Sequence, residues 1–529
     1  MKRRLISVML AAALILALFA ACGGKEESSS KETESTPSSS GSSEAESSTP
    51  ESSPESSGEE EASGNEPMNL VVAYPLINGV PQDNKLIEAE INKITQEKLN
   101  DTIELMPISM GNYQQQMQLM LASAEKLDCF VIRSNSFNAY YSANQMTDLT
   151  GLIQEYGQGI IEAVGQSFID AGKLDGKLYG ITTNRDLAIG HGGLVVRQDY
   201  MEEAGYKKED IKTIDDLDGL FAKVHENHPD VQIITSNSGS SIYGTLGMSF
   251  DPLTDGFAVL RNFGLDDLTV VNAFATEEYK EYCLHARKWF EAGYISADIA
   301  AVTEGGPSQV KAGRAFAYNN RYKPGADNQE SKICGTPVVT LTVLGDATYT
   351  SVPQSFMWGI PYSAESPERA MEYLNEQYTN PDIMNLLAWG IEGTHYDMTD
   401  DGHITAAAAL NGAESGYNPS AGWIFGNQFI THVWEGDDLN LYKELKAFND
   451  GADKSKAFGF TFNSDSVLTE IAAVQGVYDQ YKIGLESGLV DTEATLSQML
   501  SEMESAGIGK IIEEKQRQLD EWAEANGVS

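Results

Sequence analysis

From Met68 onward, short apolar runs alternate with segments of helical period, and this alternation limits what the chain can fold into. The predicted elements, in chain order, are strand 70–73, helix 84–99, strand 103–108, helix 113–124 and strand 128–132. Strands that alternate with helices in this way are typical of βαβ units. The sequence therefore predicts an α/β fold with mostly parallel sheets and flanking helices. In such sheets, ligands bind beyond the carboxyl ends of the strands.

The length and the charge of the chain set further limits. A chain of 529 residues has room for two or more domains, because a single hydrophobic core stops growing at about 250–300 residues. The chain carries 78 Asp and Glu against 36 Lys and Arg, a formal net charge of −42. Since nucleic-acid binding depends on clustered Lys and Arg, this excess of acid argues against DNA or RNA as a partner. Four cysteines in this length exclude a disulfide scaffold.

The first 21 residues have the pattern of an export signal. Lys2, Arg3 and Arg4 precede an apolar run over 5–21 that is too short and wrongly flanked for a membrane span. The run ends in LFAA followed by Cys22, which resembles the lipobox of bacterial lipoproteins, with Phe in a position that usually holds Leu. The sequence therefore predicts a lipoprotein signal peptide over 1–21 and a lipid, such as palmitate, on Cys22. The alternative is an ordinary signal peptide followed by a chance cysteine.

Residues 22–67 form a tract that cannot build a core. Positions 23–67 hold 16 Ser and 12 Glu and no aromatic residue. A segment of this composition buries too little apolar surface to offset the entropy lost when its chain becomes ordered. We therefore expect a disordered tether, rich in Ser and Glu, that lets the folded body stand clear of the bilayer.

Six segments of the folded region, taken together, resemble one protein family. They are LDGKLYGI (174–181), LVVRQDYM (194–201), AGY (204–206), KAGRAFAY (311–318), MWGIP (357–361) and SPERAMEYL (366–374). In this order they resemble the family 1 extracellular solute-binding proteins of bacterial ABC importers, the group of maltose-binding protein. Residues 378–396 and 484–522 resemble the lipoprotein subgroup of that family, which has a C-terminal region of unassigned role.

The resemblance implies a two-lobe periplasmic-binding-protein-like fold of type II, with a hinge between the lobes. The implied N-lobe is 68–183 plus 345–405, and the implied C-lobe is 184–344 plus 406–529. The protein would be a monomer, anchored by lipid on the extracellular face of the cytoplasmic membrane. It would capture a solute and deliver it to ABC permease subunits by hinge closure, without a cofactor.

The ligand class follows from aromatic residues and from the resemblance. Trp and Tyr stack on the apolar faces of sugars while neighbouring polar groups bind the hydroxyls, and the second half of the chain is crowded with Trp358, Trp389, Trp423 and Trp434. The resemblance favours a mono- or oligosaccharide. The alternatives are a receptor or sensor for peptides or other small solutes, and a polysaccharide-acting enzyme.

Specific signs of an enzyme or a metal site are missing from the sequence. It contains no G-x-S-x-G, phosphate-loop or dinucleotide-binding motif. His225 and His228 fall one residue short of the H-E-x-x-H spacing of zinc proteases and precede Pro229, so we expect a helix end there and no metal. Cys129, Cys283 and Cys334 are predicted to be structural, with a disulfide between Cys283 and Cys334 left open.

The candidate ligand contacts come from the ends of predicted strands and from the hinge. The segment 319–322 follows a strand at which related proteins often place an aromatic residue against the sugar. Asp186 suits sugar hydroxyls because charge-assisted hydrogen bonds are strong. For Arg321 the alternative is a surface ion pair. The predicted ligand-binding residues are Tyr74, Tyr113 and Arg133 from the N-lobe, Asn184 and Asp186 from the hinge, Asn319, Arg321 and Tyr322 from the C-lobe, and Trp358.

Overall fold

The strands and helices predicted at the start of the folded region are all present. The structure is a computed structural model, and it describes residues 66–77, 79–237, 241–348, 352–419 and 421–528. The predicted signal peptide, Cys22 and all but the last two residues of the predicted tether lie outside these ranges. The first strand begins at Met68, where the sequence pattern changes.

Residues 68–182 alternate strands with helices as far as the third strand. The elements are β1 Met68–Leu76, α1 Asn84–Leu99, β2 Asp101–Ser109, α2 Met110–Ser123, β3 Cys129–Arg133, α3 Ser134–Ser142, α4 Thr150–Tyr156, α5 Gln158–Val164, α6 Gln166–Asp170, β4 Lys173–Leu174, β5 Lys177–Leu178 and β6 Ile181–Thr182. Helix α1 ends because Asn100 adopts a left-handed backbone with φ 58°, which Asn tolerates better than most residues. Strands β4 and β5 pair in the hairpin that Asp175 and Gly176 predict.

Residues 189–348 form a second set of strands and helices. The elements are β7 Ile189–His191, β8 Leu194–Arg197, α7 Gln198–Glu203, α8 Asp216–Asn227, β9 Gln232–Thr235, α9 Tyr243–Leu246, β10 Phe250–Asp251, β11 Ala258–Arg261, β12 Val271–Asn272, α10 Glu277–Glu291, α11 Gly306–Lys311, β13 Ala315–Asn319, α12 Ala326–Cys334, β14 Val338–Leu341 and β15 Gly345–Thr348. Helix α8 ends just before His228 and Pro229, as the sequence predicts.

The last third of the chain is mostly helical. Its elements are β16 Phe356–Gly359, α13 Pro367–Thr379, α14 Pro381–Trp389, β17 Tyr396–Met398, β18 Ile404–Ala406, α15 Leu441–Gly451, β19 Asp453–Lys454, α16 Leu468–Glu486, α17 Thr492–Ala506 and α18 Ile508–Asn526. Ser followed by Pro is a sequence signal for a helix start, and the Ser366 side chain caps α13 by accepting a hydrogen bond from the Arg369 backbone N–H. Strands β17 and β18 form a hairpin around Asp401-Gly402, a dipeptide that favours such turns.

The two main sheets are mixed rather than mostly parallel. The first has the strand order β2-β1-β3-β16-β6, in which β1 runs parallel to β2 and β3 while β16 is antiparallel to β3 and β6. The second has the order β14-β8-β13-β9, in which only β13 and β9 are parallel. The parallel part of the first sheet comes from the βαβ units of the sequence. Strand β16 runs the other way because it enters from the second sheet and not through a crossover helix.

Residues 61–529 form one compact unit. Within it, the buried apolar side chains form two large hydrophobic cores. The first core surrounds the first sheet and includes the fully buried Trp358. The second core surrounds the second sheet and the helices α16–α18, and includes Trp289. Tyr417 and Phe425 belong to the first core, although the sequence placed everything after residue 405 in the C-lobe.

The three described cysteines are all buried thiols. Cys129 lies in the first core and Cys283 in the second, whereas Cys334 belongs to a small cluster with Tyr318 and Val338. The alternative of a disulfide between Cys283 and Cys334 is therefore wrong. Within the described part of the chain, no helix has the length and apolar character needed to cross a membrane.

Candidate functional site

In the described part of the chain, three passages of backbone connect the two cores: 183–193, 342–348 with 352–355, and 426–456. The first and third passages are joined by hydrogen bonds. Asn184 N donates to Gly426 O at 2.8 Å, and its Nδ2 donates to Asn427 Oδ1 at 3.0 Å. The third passage lies later in the chain than residue 405, after which the resemblance implies the change from N-lobe to C-lobe.

Asn449 fixes the backbone of the first passage. Its Oδ1 accepts hydrogen bonds from Leu187 N at 2.9 Å and Ala188 N at 2.8 Å. Its Nδ2 donates to Arg185 O at 2.6 Å. Because all three bonds go to main-chain atoms, they set the direction in which the side chains of Arg185 and Asp186 leave the backbone.

A cavity of about 480 Å³ lies where these passages meet the ends of the two main sheets. Ser134 directly follows β3, Phe356 opens β16 opposite the last residue of β3, and Asn320 directly follows β13. This is the position at which α/β sheets bind ligands. The lining residues are Ser134, Arg185, Asp186, Leu187, Ala188, Ile189, Thr254, Asn320, Arg321, Lys323, Ala326, Gln329, Glu330, Val352, Ser355, Phe356 and Trp423.

A network of charged groups forms one wall of the cavity. Lys323 Nζ donates to Asp186 Oδ2 at 2.6 Å, and Arg185 Nη1 lies 3.4 Å from Asp186 Oδ1. Arg185 Nη2 also donates to Ser355 Oγ at 2.8 Å. Burial favours the neutral form of Asp186, but the attraction of Lys323 and Arg185 outweighs it and holds the pKa of the carboxyl below its usual value. Asp186 is therefore a charged acceptor at neutral pH.

Arg185 experiences opposing influences. Burial lowers the pKa of its guanidinium, the neighbouring Asp186 raises it, and the like charge of Arg321 lowers it further. The net direction is downward, from a starting value so high that the group stays protonated. Arg185 and Arg321 thus place two mutually repelling cations at the cavity.

Aromatic rings also line the cavity. The rings of Phe356 and Trp423 meet edge to face, with their centroids 4.8 Å apart and their planes at 85°. The guanidinium carbon of Arg185 lies 5.9 Å from the centroid of Trp423, and that of Arg133 lies 5.8 Å from the centroid of Phe356. The cavity thus combines flat apolar surface with charged hydrogen-bonding groups.

Of the nine predicted ligand contacts, Asp186 and Arg321 line this cavity, and Arg133 stands at its edge above Phe356. Asn184 and Asn319 are close by in the fold but buried. Asn184 joins the first and third passages, and Asn319 Oδ1 accepts a hydrogen bond from Asn237 N at 2.9 Å. Both side chains act on the backbone that carries the cavity.

The predicted aromatic contacts lie elsewhere. Tyr74, Tyr113 and Trp358 are buried in the first core and make internal hydrogen bonds to Asn84 Oδ1, Val131 O and Ile424 O respectively. Tyr322 packs against Phe448 and is bonded through its main chain to Gly190, so it borders the first passage without lining the cavity.

Sequence reasoning missed several lining residues. Arg185 stands between two predicted contacts and Lys323 directly follows a third, so extending each prediction by one residue finds both. Trp423 is one of the four tryptophans noted in the sequence, but it lies in an irregular segment that offers no periodic pattern. Ser355 and Phe356 are recognisable only as the start of a strand.

Two other features of the described chain do not form comparable sites. A groove of about 660 Å³ lies between α16 and the turn from α17 to α18, away from strand ends, and is bordered by Glu470 and Lys510, which form an ion pair. Possible metal-ligand atoms of Asp215, Asp218 and His285 lie within 4.8 Å of one another. The Asp218 carboxylate already binds Lys288 Nζ and Trp289 Nε1, so ion pairing and hydrogen bonding account for this cluster.

Two α/β cores joined by three passages, with a cavity at the strand ends between them, define a two-lobe solute receptor. The chain belongs to the family described as bacterial extracellular solute-binding protein, whose sequence model matches residues 78–384. It is a solute-binding protein and not an enzyme. Residues 456–524 match a domain of unknown function, DUF3502. The family and the two-lobe fold that the sequence predicts are confirmed.

Three similar proteins show how the chain relates to known ones. A carbohydrate ABC transporter substrate-binding protein of Streptococcus pneumoniae is 24% identical over 462 residues, which is 87% of this chain and 91% of the relative. The polygalacturonan/rhamnogalacturonan-binding protein YtcQ of Bacillus subtilis is 23% identical over 44% of this chain and 48% of its own length. The solved N-glycan transport solute-binding protein NgtS of Streptococcus pneumoniae has a TM-score of 0.74 at 22% identity, covering 86% of this chain and 99% of that one.

Proposed function

We propose that this protein is a lipid-anchored extracellular receptor that captures a mono- or oligosaccharide and delivers it to an ABC permease. The observation that carries the proposal is the cavity, which sets the rings of Phe356 and Trp423 against Arg185, Asp186 and Lys323. Sugars present apolar faces that stack on aromatic rings and hydroxyls that bind charged groups. The similar proteins from Streptococcus pneumoniae, a carbohydrate ABC transporter substrate-binding protein and an N-glycan transport solute-binding protein, support a carbohydrate.

Closure of the two lobes on the sugar is the proposed mechanism. We place the N-lobe at 68–183 plus 345–425, extended from residue 405 because Tyr417 and Phe425 lie in the first core. The C-lobe then comprises 184–344 and 426–529. Asp186 on the first passage and Lys323 on the C-lobe already touch, so a sugar that bridges them to Trp423 would favour the closed state. The permease would then recognise occupancy as a change of shape.

A screen for ligands tests the proposal directly. The purified folded body is mixed with neutral oligosaccharides, acidic oligosaccharides and peptides, and its unfolding temperature is measured. A bound ligand stabilises the protein by RT ln(1 + [L]/Kd), about 2.7 kcal/mol at 100 times Kd. Stabilisation by at least one saccharide supports the proposal. Stabilisation by peptides alone would instead establish the peptide-receptor alternative.

Trp423→Ala is expected to weaken binding of the sugar found in that screen by roughly 10- to 100-fold, about 1.4–2.7 kcal/mol. The variant removes the larger of the two rings and its contact with the Arg185 guanidinium, while the ion pair between Asp186 and Lys323 stays in place. Isothermal titration calorimetry gives the affinity. Trp522→Ala is the matched control, because Trp522 packs against Phe460 in the C-terminal region, outside the cavity. Equal affinity of wild type and Trp423→Ala would remove Trp423 from the site.

The lipid anchor is proposed from the residues before the folded body. LFAA followed by Cys22 resembles a lipobox, and the tract 23–67 is long and polar enough to serve as a tether. In a bacterial host, Cys22→Ala is expected to abolish incorporation of labelled palmitate and to release the protein from membranes or leave it unprocessed. Cys129→Ala, which alters a buried thiol, should leave both properties unchanged. Retention and labelling in the Cys22→Ala variant would refute the anchor.

A further inference from the structure

The cavity has an excess of positive charge, although the protein as a whole is acidic. The whole chain has more than twice as many acidic as basic residues, 78 against 36. In the lining of the cavity the excess has the opposite sign, with the cations Arg185, Arg321 and Lys323 against the carboxylates Asp186 and Glu330. A fourth cation, Arg133, stands at the edge over Phe356. The cavity is therefore a local positive region on an otherwise acidic protein.

Both carboxylates of the lining are already occupied. Asp186 uses one oxygen for Lys323 and the other for Arg185. Glu330 is only 5% exposed and accepts a hydrogen bond from Tyr318 OH at 2.6 Å. The three cations of the lining exceed its two carboxylates by one formal charge, and Arg133 at the edge adds another, so a positive excess remains at the cavity.

Two guanidinium groups retain unused hydrogen-bonding capacity. Arg321 is exposed, and within the described residues its guanidinium makes no ion pair; its backbone N–H donates to Asn320 Oδ1. The Arg185 side chain is 16% exposed, and its buried Nε has no hydrogen-bond partner among the described residues. A buried donor without an acceptor costs free energy, and so does the repulsion between these two cations.

We infer that the solute is a sugar acid, a saccharide bearing a carboxylate that Arg321 and Arg185 bind while Phe356 and Trp423 contact the ring. This inference rests on the proposed function and narrows its ligand class. A carboxylate matches the planar fork of a guanidinium and can accept two parallel hydrogen bonds. It also supplies the negative charge that the cavity lacks. A neutral sugar would leave the excess charge uncompensated when closure removes water from the site.

The test compares sugars that differ only in charge. Calorimetry measures binding of digalacturonate, trigalacturonate, sialyllactose and cellobiouronate, each against its own methyl ester. For the saccharide that binds best, we expect the acid to bind at least tenfold more tightly than its neutral counterpart. Raising the salt concentration should narrow that difference, because salt screens the attraction.

Arg321→Gln tests the residue assignment with the same sugars. The variant is expected to weaken binding of the acid at least tenfold and binding of the neutral counterpart less than twofold. In the absence of sugar it should unfold at a temperature equal to or above that of wild type, since it removes the repulsion with Arg185. Arg517→Gln makes the same change of charge on the exposed face of α18 and should leave both affinities unchanged.

Each contrary outcome has a distinct meaning. Neutral sugars that bind as tightly as their acids would overturn the sugar-acid inference while leaving the proposed function intact. Preference for the acid that Arg321→Gln does not alter would overturn the assignment of Arg321. Binding of peptides and of no saccharide would overturn the proposed function itself.

Discussion

Arg369→Met is expected to lower the free energy of unfolding by about 3–5 kcal/mol, the cost of leaving one partner of a buried ion pair alone. Arg369 on α13 donates from Nε to Asp101 Oδ2 at 2.9 Å and from Nη2 to Asp101 Oδ1. The two side chains are 9% and 0% exposed. Arg369 also donates to the backbone oxygens of Glu66 and Leu99, so one side chain joins the first folded residues, the end of α1 and the start of β2.

The expected cost is large because Asp101 has little else to neutralise it. Apart from Arg369, the Asp101 carboxylate accepts a hydrogen bond from the backbone N–H of Met68 at 3.1 Å. Burial raises the pKa of the Asp101 carboxyl even with Arg369 beside it, and removal of the guanidinium raises it further. A carboxyl whose pKa is raised by folding binds a proton more readily in the folded state, so the deficit of the variant should shrink as the pH falls.

Urea unfolding at neutral and at mildly acidic pH measures both effects. Arg261→Met is the matched control, because Arg261 pairs with Glu278 at the surface with 58% of its side chain exposed. That control should change stability by no more than about 0.5 kcal/mol. The double variant Asp101→Asn with Arg369→Met should recover part of the loss, since it removes the buried charge. Equal costs for Arg369→Met and Arg261→Met would show that the buried pair is not a major support of the N-lobe.

Several helix ends and turns could be predicted because each is determined by the residue types at that position. Asn100 and Ser366 mark a helix end and a helix start through short-range chemistry, and the Asp175-Gly176 turn forces its own hairpin. None of these signals depends on what packs against them. The segment that leads into the third passage has no such signal, since its described residues, 411–419 and 421–440, are irregular apart from one short 3₁₀ helix. Only packing shows that Phe425 belongs to the first core.

The sequence could predict where in the fold the site lies, but not which side chains line it. The rule that ligands bind beyond strand ends leads to Arg133 and Arg321, and the predicted hinge leads to Asp186; all three lie at or beside the cavity. The strand-end rule fails for Tyr74 and Tyr113, because Tyr74 lies on a strand whose side chains are buried on both faces and Tyr113 lies on the buried face of α2. Whether an aromatic side chain faces a cavity or a core depends on its direction, which one sequence does not reveal.

Glu486→Gln is expected to stabilise the protein increasingly as the pH rises, by about 3 kcal/mol between pH 4.5 and pH 8. Glu486 ends α16 and is fully buried. Burial is the main influence and raises the pKa of its carboxyl to about 7, although hydrogen bonds from Ser241, Tyr478 and Tyr279 oppose the shift. In the unfolded chain the same group titrates at about 4.3.

The sign of the pH dependence follows from these two values. Between them, the folded protein keeps a proton on Glu486 that the unfolded chain has lost, so stability falls as the pH rises through this range. Above pH 7 the folded protein holds a buried carboxylate. Glutamine is uncharged at every pH and keeps an oxygen that can accept the hydrogen bonds of Tyr478 and Tyr279. The stability of the Glu486→Gln variant therefore does not fall in this way as the pH rises.

The groups that face Glu486 do not titrate in the same range. Burial raises the pKa of Tyr243, Tyr279, Tyr282 and Tyr478, and also that of Cys283, so all of them stay neutral up to pH 8. The charged groups that act on them from outside are Lys482, Glu278 and Asp479. The change of stability with pH in this interval can therefore be assigned to Glu486.

Urea unfolding of wild type and Glu486→Gln from pH 5 to pH 8 measures the difference in stability at each pH. Glu502→Gln is the matched control: Glu502 accepts a hydrogen bond from Tyr481 OH at 2.7 Å near the surface, and hydrogen bonding lowers rather than raises the pKa of its carboxyl. It should show no gain in stability as the pH rises. A difference between Glu486→Gln and wild type that is constant with pH would refute the buried, protonated carboxyl.

The position of Glu486 gives this titration a meaning for the C-terminal region. Glu486 lies within the matched domain of unknown function, 456–524, whereas Tyr279 and Tyr282, which bind it, belong to α10 of the preceding body. Helices α16–α18 share the second core with α10, so they are part of the C-lobe and not an appended unit. Ionisation of Glu486 should then loosen the contact between α16 and α10 first. Hydrogen exchange should show amides of α16 and α10 losing protection together between pH 6 and pH 8 in wild type, and keeping it in Glu486→Gln.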